Sequence, residues 1–180
     1  MKLTILGSGT VDPRPHRACS GYFLETASER IVFDLGNGTV RRAQEFGLPL
    51  SKARRLFFSH LHPDHTSDLV PYLFARKHAL PPWSPDAQVT LYGPPGFTGF
   101  LEAVFAAWPS IRPTGGAVEV REMSDRGGVV FEDAEYRVEA VRVEHGDMLA
   151  YGFRVLEGGR IFAYSGDTKL CTGVKQVAQR

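Results

Sequence analysis

An α/β protein built of sheets covered by helices is the fold class this sequence predicts, and three observations predict it. Short apolar runs alternate with amphipathic stretches in β-α-β order through the first half. From residue 117 onward the chain becomes a series of strand-like runs. No repeat, low-complexity tract or linker intervenes, so residues 1–180 read as one domain.

The elements follow in order. "KLTIL" is a strand, and "GSGTVDPRPHRACSG" after it is loop chemistry, rich in Gly, Pro and small polar residues. "YFLET" and "RIVFD" pair across a short turn, and "GTVRRAQEFG" is a helix closed by Gly47. "RLFFS" is a short buried strand. "SDLVPYLFARKHA" is a helix with Thr66 or Ser67 as N-cap and Pro71 tolerated near its first turn. "QVTLYGPPG" is a strand ending in a Pro-Gly turn, and "FTGFLEAVFAAW" is a second amphipathic helix. "AVEVREM", "GVVFE", "YRVEAVRVEH", "LAYGFRVLE" and "RIFAYS" are the later strands, with Gly158-Gly159 as a hairpin turn. "GVKQVAQ" is a final short helix.

Composition narrows the class. Apolar residues make up 43% and charged residues 23%, the balance of a soluble globular protein. No apolar run approaches the ~20 residues of a membrane helix, and "MKLTILGSGT" lacks the pattern of a signal peptide. Cys19 and Cys171 read as thiols of a cytoplasmic protein, not as a disulfide framework. Net charge is +1, yet residues 1–80 hold 11 Lys+Arg against 7 Asp+Glu while residues 81–180 hold 10 against 13. A basic first half suits an anionic substrate. Arg14, Arg17, Arg41, Arg42, Arg76 and Lys77 are the candidates for phosphate contact, with a solvated surface as the plain alternative for each.

The chemistry concentrates in "SHLHPDH", residues 59–65, which follows the apolar run Leu56-Phe57-Phe58. On an extended segment His60, His62 and Asp64 point to one side, and His65 follows where a helix begins. Imidazole and carboxylate are ligands for Zn²⁺ and similar metals. His145 ends a strand in phase with Val141 and Val143. Tyr136, Val138 and Ala140 lie on the opposite phase, which suggests a bulge. Asp167 follows a buried strand in "RIFAYSGD". Alone, His145 reads as a core histidine and Asp167 as a turn former. With the cluster they make four His and two Asp.

These motifs form an ordered set with "LGSGT", "VFDLGNGTVRRAQEFG", "LYGPPGFTGFLEAVF", "VEHGDMLAYGFRV" and "YSGDT". The chain resembles the metallo-β-lactamase superfamily, whose H-x-H-x-D-H signature stands here as "HLHPDH", and within it ribonuclease Z and its phosphodiesterase relatives. The resemblance implies a four-layer αβ/βα sandwich with metals at the sheet edge, its second half incomplete here. It implies His60, His62 and His145 as ligands of one metal, Asp64 and His65 as ligands of a second, and Asp167 as the bridge. Asp34, in "FDLG", corresponds to the buried acid that orients a ligand histidine; a carboxylate capping the following turn is the alternative. Two Zn²⁺ are implied, with Mn²⁺ or Fe as alternatives. The implied reaction is attack of a metal-bound hydroxide on a phosphodiester, with Asp64 steering the nucleophile. The substrate would be RNA or a small cyclic or nucleotide diester. Hydrolysis of a thioester, lactone or sulfate ester on the same core, or a truncated non-catalytic metal-binding protein, are the alternatives.

The sequence also departs from that pattern. Relatives continue past "SGDT" to further strands, a histidine that protonates the leaving group and a last ligand histidine, whereas 13 residues follow Asp167 here. The leading expectation is a shortened form of a longer chain; completion across a homodimer and a divergent protein with one metal or none are the others. A half-built sheet would leave an unpaired edge and exposed apolar surface. Only His16 and His78 remain unassigned: His16 sits in the Gly/Pro-rich loop, His78 on a helix as a surface residue. The P-x-K-x-R-N loop of ribonuclease Z stands here as "PRPHRA", where Pro13 and Arg17 fit but Pro15 and Ala18 do not. Only 21 residues separate His145 from Asp167, too few for a tRNA-gripping arm.

Overall fold

In a computed structural model, residues 1–9, 11–12 and 14–179 are described. Pro13, part of the loop comparison above, lies outside them. Six strands form the first sheet in chain order: β1 (Lys2–Gly7), β2 (Gly21–Glu25), β3 (Arg30–Phe33), β4 (Arg55–Phe57), β5 (Val89–Gly93) and β6 (Val118–Glu122). The first three pair antiparallel and the last four parallel. A short turn suffices between β2 and β3, whereas each parallel step needs a crossover. The crossovers carry α1 (Thr39–Glu45), a single helical turn α2 (Pro63–Thr66), α3 (Leu69–His78) and α4 (Phe97–Ala107). The second sheet is an antiparallel meander of β7 (Gly127–Glu132), β8 (Arg137–His145), β9 (Met148–Glu157) and β10 (Arg160–Tyr164), in the order β10-β9-β8-β7. Helix α5 (Thr172–Val177) follows.

Four layers result. Phe23, Val32, Leu56 and Leu91 face α1, α3 and α4, while Ile31, Phe33, Phe57 and Tyr92 face Val138, Tyr151, Phe153 and Val155 of the second sheet. Strands buried on both faces explain why "RIVF" and "RLFF" read as unbroken apolar runs. The outer face of the second sheet is covered by α5, where Val143 and Ala150 meet Val177.

Three details differ from the sequence-based expectation. β6 was grouped with the later strands, yet it pairs parallel with β5 in the first sheet. The N-cap of α3 is Asp68, not Thr66 or Ser67. Those hydroxyls instead donate back to the carbonyls of His62 and Pro63, because α2 is a helical turn of its own. The Asp68 carboxylate accepts from the Val40 amide at 2.8 Å, so it serves the start of α1. The register shift in this region lies on β7, between Val129 and Phe131, and not on β8, whose pairing with β9 runs without a shift from Arg137 to His145. Its apolar residues occupy both phases because β8 is covered on both faces, by the first sheet and by α5.

The two-residue hairpin at Gly158-Gly159 forms with φ of 52° and 76°, values glycine adopts without a Cβ penalty. β10 ends its sheet. Leu3 and Ile5 pair with Leu24 and Tyr22 on the core-facing side of the first sheet. They are nonetheless 41% and 53% exposed. The second sheet stops short of β1, and the expected apolar strip is uncovered.

Candidate metal centre

The polar cluster sits where strands end. Asp34 directly follows β3, and residues 59–62 follow β4. Carboxyl ends of parallel strands are where open sheets hold their ligands. His145 closes β8, and Asp167 lies three residues past β10. The two sheets thus bring all six predicted ligands to one end of the molecule.

Backbone contacts fix this junction. The Leu35 amide donates to the His65 carbonyl and the Asp68 amide to the Leu35 carbonyl, each at 2.8 Å. Gly36 lies so close that a Cβ there would stand 1.9 Å from the Asp64 carbonyl oxygen. The Tyr151 amide donates to the Ser59 carbonyl at 3.0 Å and ties the second sheet to the histidine loop.

Two groups of donor atoms emerge, each within 4.8 Å: His60, His62 and His145, and His60, His65 and Asp167. His62 Nδ1 stands 3.1 Å from His60 Nε2 and 3.1 Å from His145 Nε2. A ring nitrogen with one proton cannot donate to both, so hydrogen bonding leaves this triangle unsatisfied. Tetrahedral ligands with Zn–N bonds near 2.0–2.1 Å would lie ~3.3 Å apart, so the spacing fits a cation. Asp64 lies on the α2 turn, not on an extended segment as expected. Its Oδ2 is 3.7 Å from His65 Nε2, and its Oδ1 is buried without a partner among the described residues. A buried carboxylate oxygen left bare has a lone pair to offer a cation or to accept a hydrogen bond from water. The residues therefore fit a metal.

Asp34 anchors the inner side. It is buried in the left-handed region at φ 57°, which marks strain held by its surroundings. Its Oδ1 accepts from the Ser59 amide at 2.7 Å. Its Oδ2 accepts from His65 Nδ1 at 2.7 Å, Ser59 Oγ at 2.8 Å and Tyr164 Oη at 2.5 Å. Asp34 therefore meets His65, and the amide it serves is that of Ser59, not of the turn that follows it. Ser59 and Tyr164 were not singled out from the sequence. The available signal was the burial phase of "RIFAY", which points Phe162 and Tyr164 inward.

The electrostatics separate two histidines. Burial and the positive His65 beside it lower the His60 pKa to about 3, so His60 is neutral. For His65 burial opposes charge, but hydrogen bonds to Asp167 and Asp34 prevail and raise its pKa to about 10. The His65 contact, outweighing burial, lowers the pKa of Asp167. Without metal, His65 is a cation held between two carboxylates.

Beside Asp64 opens a pocket of about 430 Å³ that Arg14, His16, Arg17, Arg41 and Arg42 also line. Arg14 pairs with Asp12, and Arg41 and Arg42 share Glu45 at 3.2 and 3.4 Å. Arg17 makes no ion pair among the described residues. Arg76 and Lys77 are elsewhere: Arg76 is buried on α3 and donates to the Ala87 carbonyl, and Lys77 donates to the Arg112 carbonyl. Neither borders this pocket. His78 is exposed and hydrogen-bonds the Ser110 carbonyl.

Comparison with known proteins agrees with this geometry. Residues 29–180 match the family model described as the β-lactamase superfamily domain. The chain belongs to the β-lactamase superfamily. Among relatives of this superfamily member, ribonuclease Z of Salinibacter ruber is 32% identical over 98% of this chain and 54% of its own length. Ribonuclease Z of Geobacillus kaustophilus is 32% identical over 87% of this chain and 49% of its own. The chain thus spans about half the length of the curated relatives it matches. The short form of human tRNase Z shares the fold with a TM-score of 0.77 at 24% identity, covering 96% of this chain and 70% of that one. Among the described residues no helix is long and apolar enough to cross a membrane, and Cys19 and Cys171 are not joined in a disulfide.

Proposed function

We propose that this chain carries the metal centre of a phosphodiester hydrolase of the ribonuclease Z kind. The observation that carries the reading is the convergence of His60, His62, His145, His65 and Asp167 beside the bare Asp64 oxygen. His60, His62 and His145 would hold one ion, Asp64 and His65 a second, and Asp167 would bridge them, with Zn²⁺ as the metal that suits this N/O set. When bound, the metals supply an acidified water and positive charge for the phosphate oxygens.

The protein's own groups do the rest. Asp34 holds His65 Nδ1 as a donor, which leaves Nε2 free to act as a ligand. Asp64 Oδ1 accepts a hydrogen bond from the attacking water and aims it, which makes Asp64 the catalytic carboxylate. Arg14 and Arg17, with Arg41 and Arg42, line the pocket next to it and give an anionic backbone its counter-charges. RNA or a smaller nucleotide diester is the substrate class. A homodimer is the assembly by which a second copy would complete the second group. We assign the chain to the cytoplasm, where unbridged thiols are the norm.

The test is hydrolysis of bis(p-nitrophenyl) phosphate by the chain loaded with Zn²⁺, with thioester and lactone substrates in parallel and the oligomer resolved by size. Diester turnover that His62→Ala abolishes supports the reading. Turnover of thioester or lactone alone, or metal binding with no turnover in monomer or dimer, overturns it. RNA affinity should also fall steeply with salt, and a flat dependence would remove RNA from the substrate class.

A further inference from the structure

Tyr164 joins the second sheet directly to the Asp34–His65 pair. It lies on β10 in phase with Phe162, and its ring packs 4.7 Å from Tyr22 and 6.2 Å from Phe33. The hydroxyl continues past this apolar layer to Asp34 Oδ2 at 2.5 Å and Ser20 Oγ at 2.8 Å. The donor inventory fixes the directions. An ionised carboxylate only accepts, so Tyr164 spends its single proton on Asp34 and accepts from Ser20. His65 Nδ1 must donate to the same oxygen. The chain runs from Ser20 through Tyr164 to Asp34, where His65 joins it, all buried.

We propose that Tyr164 is a positioning residue for the metal centre. Its hydroxyl pins the Asp34 carboxylate so that His65 keeps Nδ1 protonated and presents Nε2 on the side of Asp64 and Asp167. Asp167 is three residues further along the same segment, so one stretch of chain sets a ligand at its end and the orientation of another through Asp34. This rests on the reading of His65 as a ligand. The simpler account is that a buried tyrosine found partners for its hydroxyl, and the two accounts predict different measurements.

The measurement is the affinity of the chain for Zn²⁺, by competition with a chromophoric chelator, together with the visible spectrum of its Co²⁺ form. Tyr164→Phe keeps the ring and removes the hydroxyl. Its Zn²⁺ affinity should fall about 10–100-fold, with an altered Co²⁺ spectrum. Phe162→Leu, on the same strand but with no reach to Asp34, should lower Tm yet keep affinity within about twofold, as a site outside the ligand network does. Unchanged affinity and spectrum in Tyr164→Phe overturn the proposal even if Tm falls, since packing alone then explains the residue. If that variant does not fold, Ser20→Ala removes the donor behind the Tyr164 hydroxyl and should weaken Zn²⁺ several-fold; no change there overturns the proposal as well. A wild-type chain that takes up neither ion overturns the metal reading itself, and this inference with it.

Discussion

Replacing Asp34 by Asn tests the inner side of the centre without changing its shape. The carboxylate receives four hydrogen bonds, three of them on Oδ2. An amide whose oxygen stays on the Ser59 amide turns its NH₂ group toward Ser59 Oγ, Tyr164 Oη and His65 Nδ1. The two hydroxyls can rotate to accept. The cationic His65 ring cannot, so it loses one of its two carboxylates and keeps Asp167, at about 1–3 kcal/mol for the unmade buried hydrogen bond. At ~2–4 °C per kcal/mol for a chain of this size, Tm of the metal-free protein should fall by roughly 2–12 °C. The loss is also pH-dependent. His65 has a pKa of about 10 when folded against an ordinary 6.5. A raised folded pKa stabilises fully below the unfolded value and ceases to do so as pH climbs through the folded one. The gap between wild type and Asp34→Asn should therefore be widest near pH 6 and narrow toward about pH 10. Denaturation in EDTA across that range measures it. A gap under about 1 kcal/mol at the acid end, or one that widens with pH, refutes the reasoning.

Other perturbations follow from the same contacts. Gly36→Ala places a methyl 1.9 Å from the Asp64 carbonyl oxygen; backbone must yield, so stability should drop by more than ~3 kcal/mol and Zn²⁺ affinity should fall with it in a chelator titration. Phe153→Ala empties a site buried between the sheets and should cost about 3–5 kcal/mol in urea unfolding. Its effect on Zn²⁺ affinity should be smaller than that of Asp34→Asn. Zn²⁺ at a hundred times its Kd should add ~2.7 kcal/mol and raise Tm by roughly 5–11 °C, which EDTA reverses. Because His65 must lose its proton to bind metal, Zn²⁺ uptake should release protons and tighten as pH rises toward about 10, which calorimetry in two buffers reads.

Much of this was legible in the sequence because apolar period and turn residues are local signals. "RIVF", "RLFF" and the Gly158-Gly159 hairpin declare themselves without knowledge of the fold. The histidine cluster is legible for the same reason, being dense within one loop. What escaped depends on distant partners. The placement of β6 follows from whether it pairs with β5 or β7, and nothing in "VEVRE" states that. The two phases of β8 looked like a bulge because the α5 cover on its second face is invisible from its own residues. The cap of α3 was expected at Thr66 or Ser67; Asp68 holds that position instead, and its carboxylate serves an amide 28 residues upstream. Tyr164 carries a role that only the approach of two sheets creates.

The Tyr164 contacts have a further consequence, for the order of assembly. They span 130 and 144 residues of chain, whereas the β7–β10 meander closes through neighbouring hairpins. Local pairings form early, and contacts of long sequence separation come late because loop closure must precede them. The candidate metal site is therefore expected to assemble late, and on the reading proposed above its metal uptake would report that the chain has finished folding. A partly folded chain can hold the meander intact and yet offer no centre, so metal uptake during refolding would act as a clock for the final docking of the two sheets.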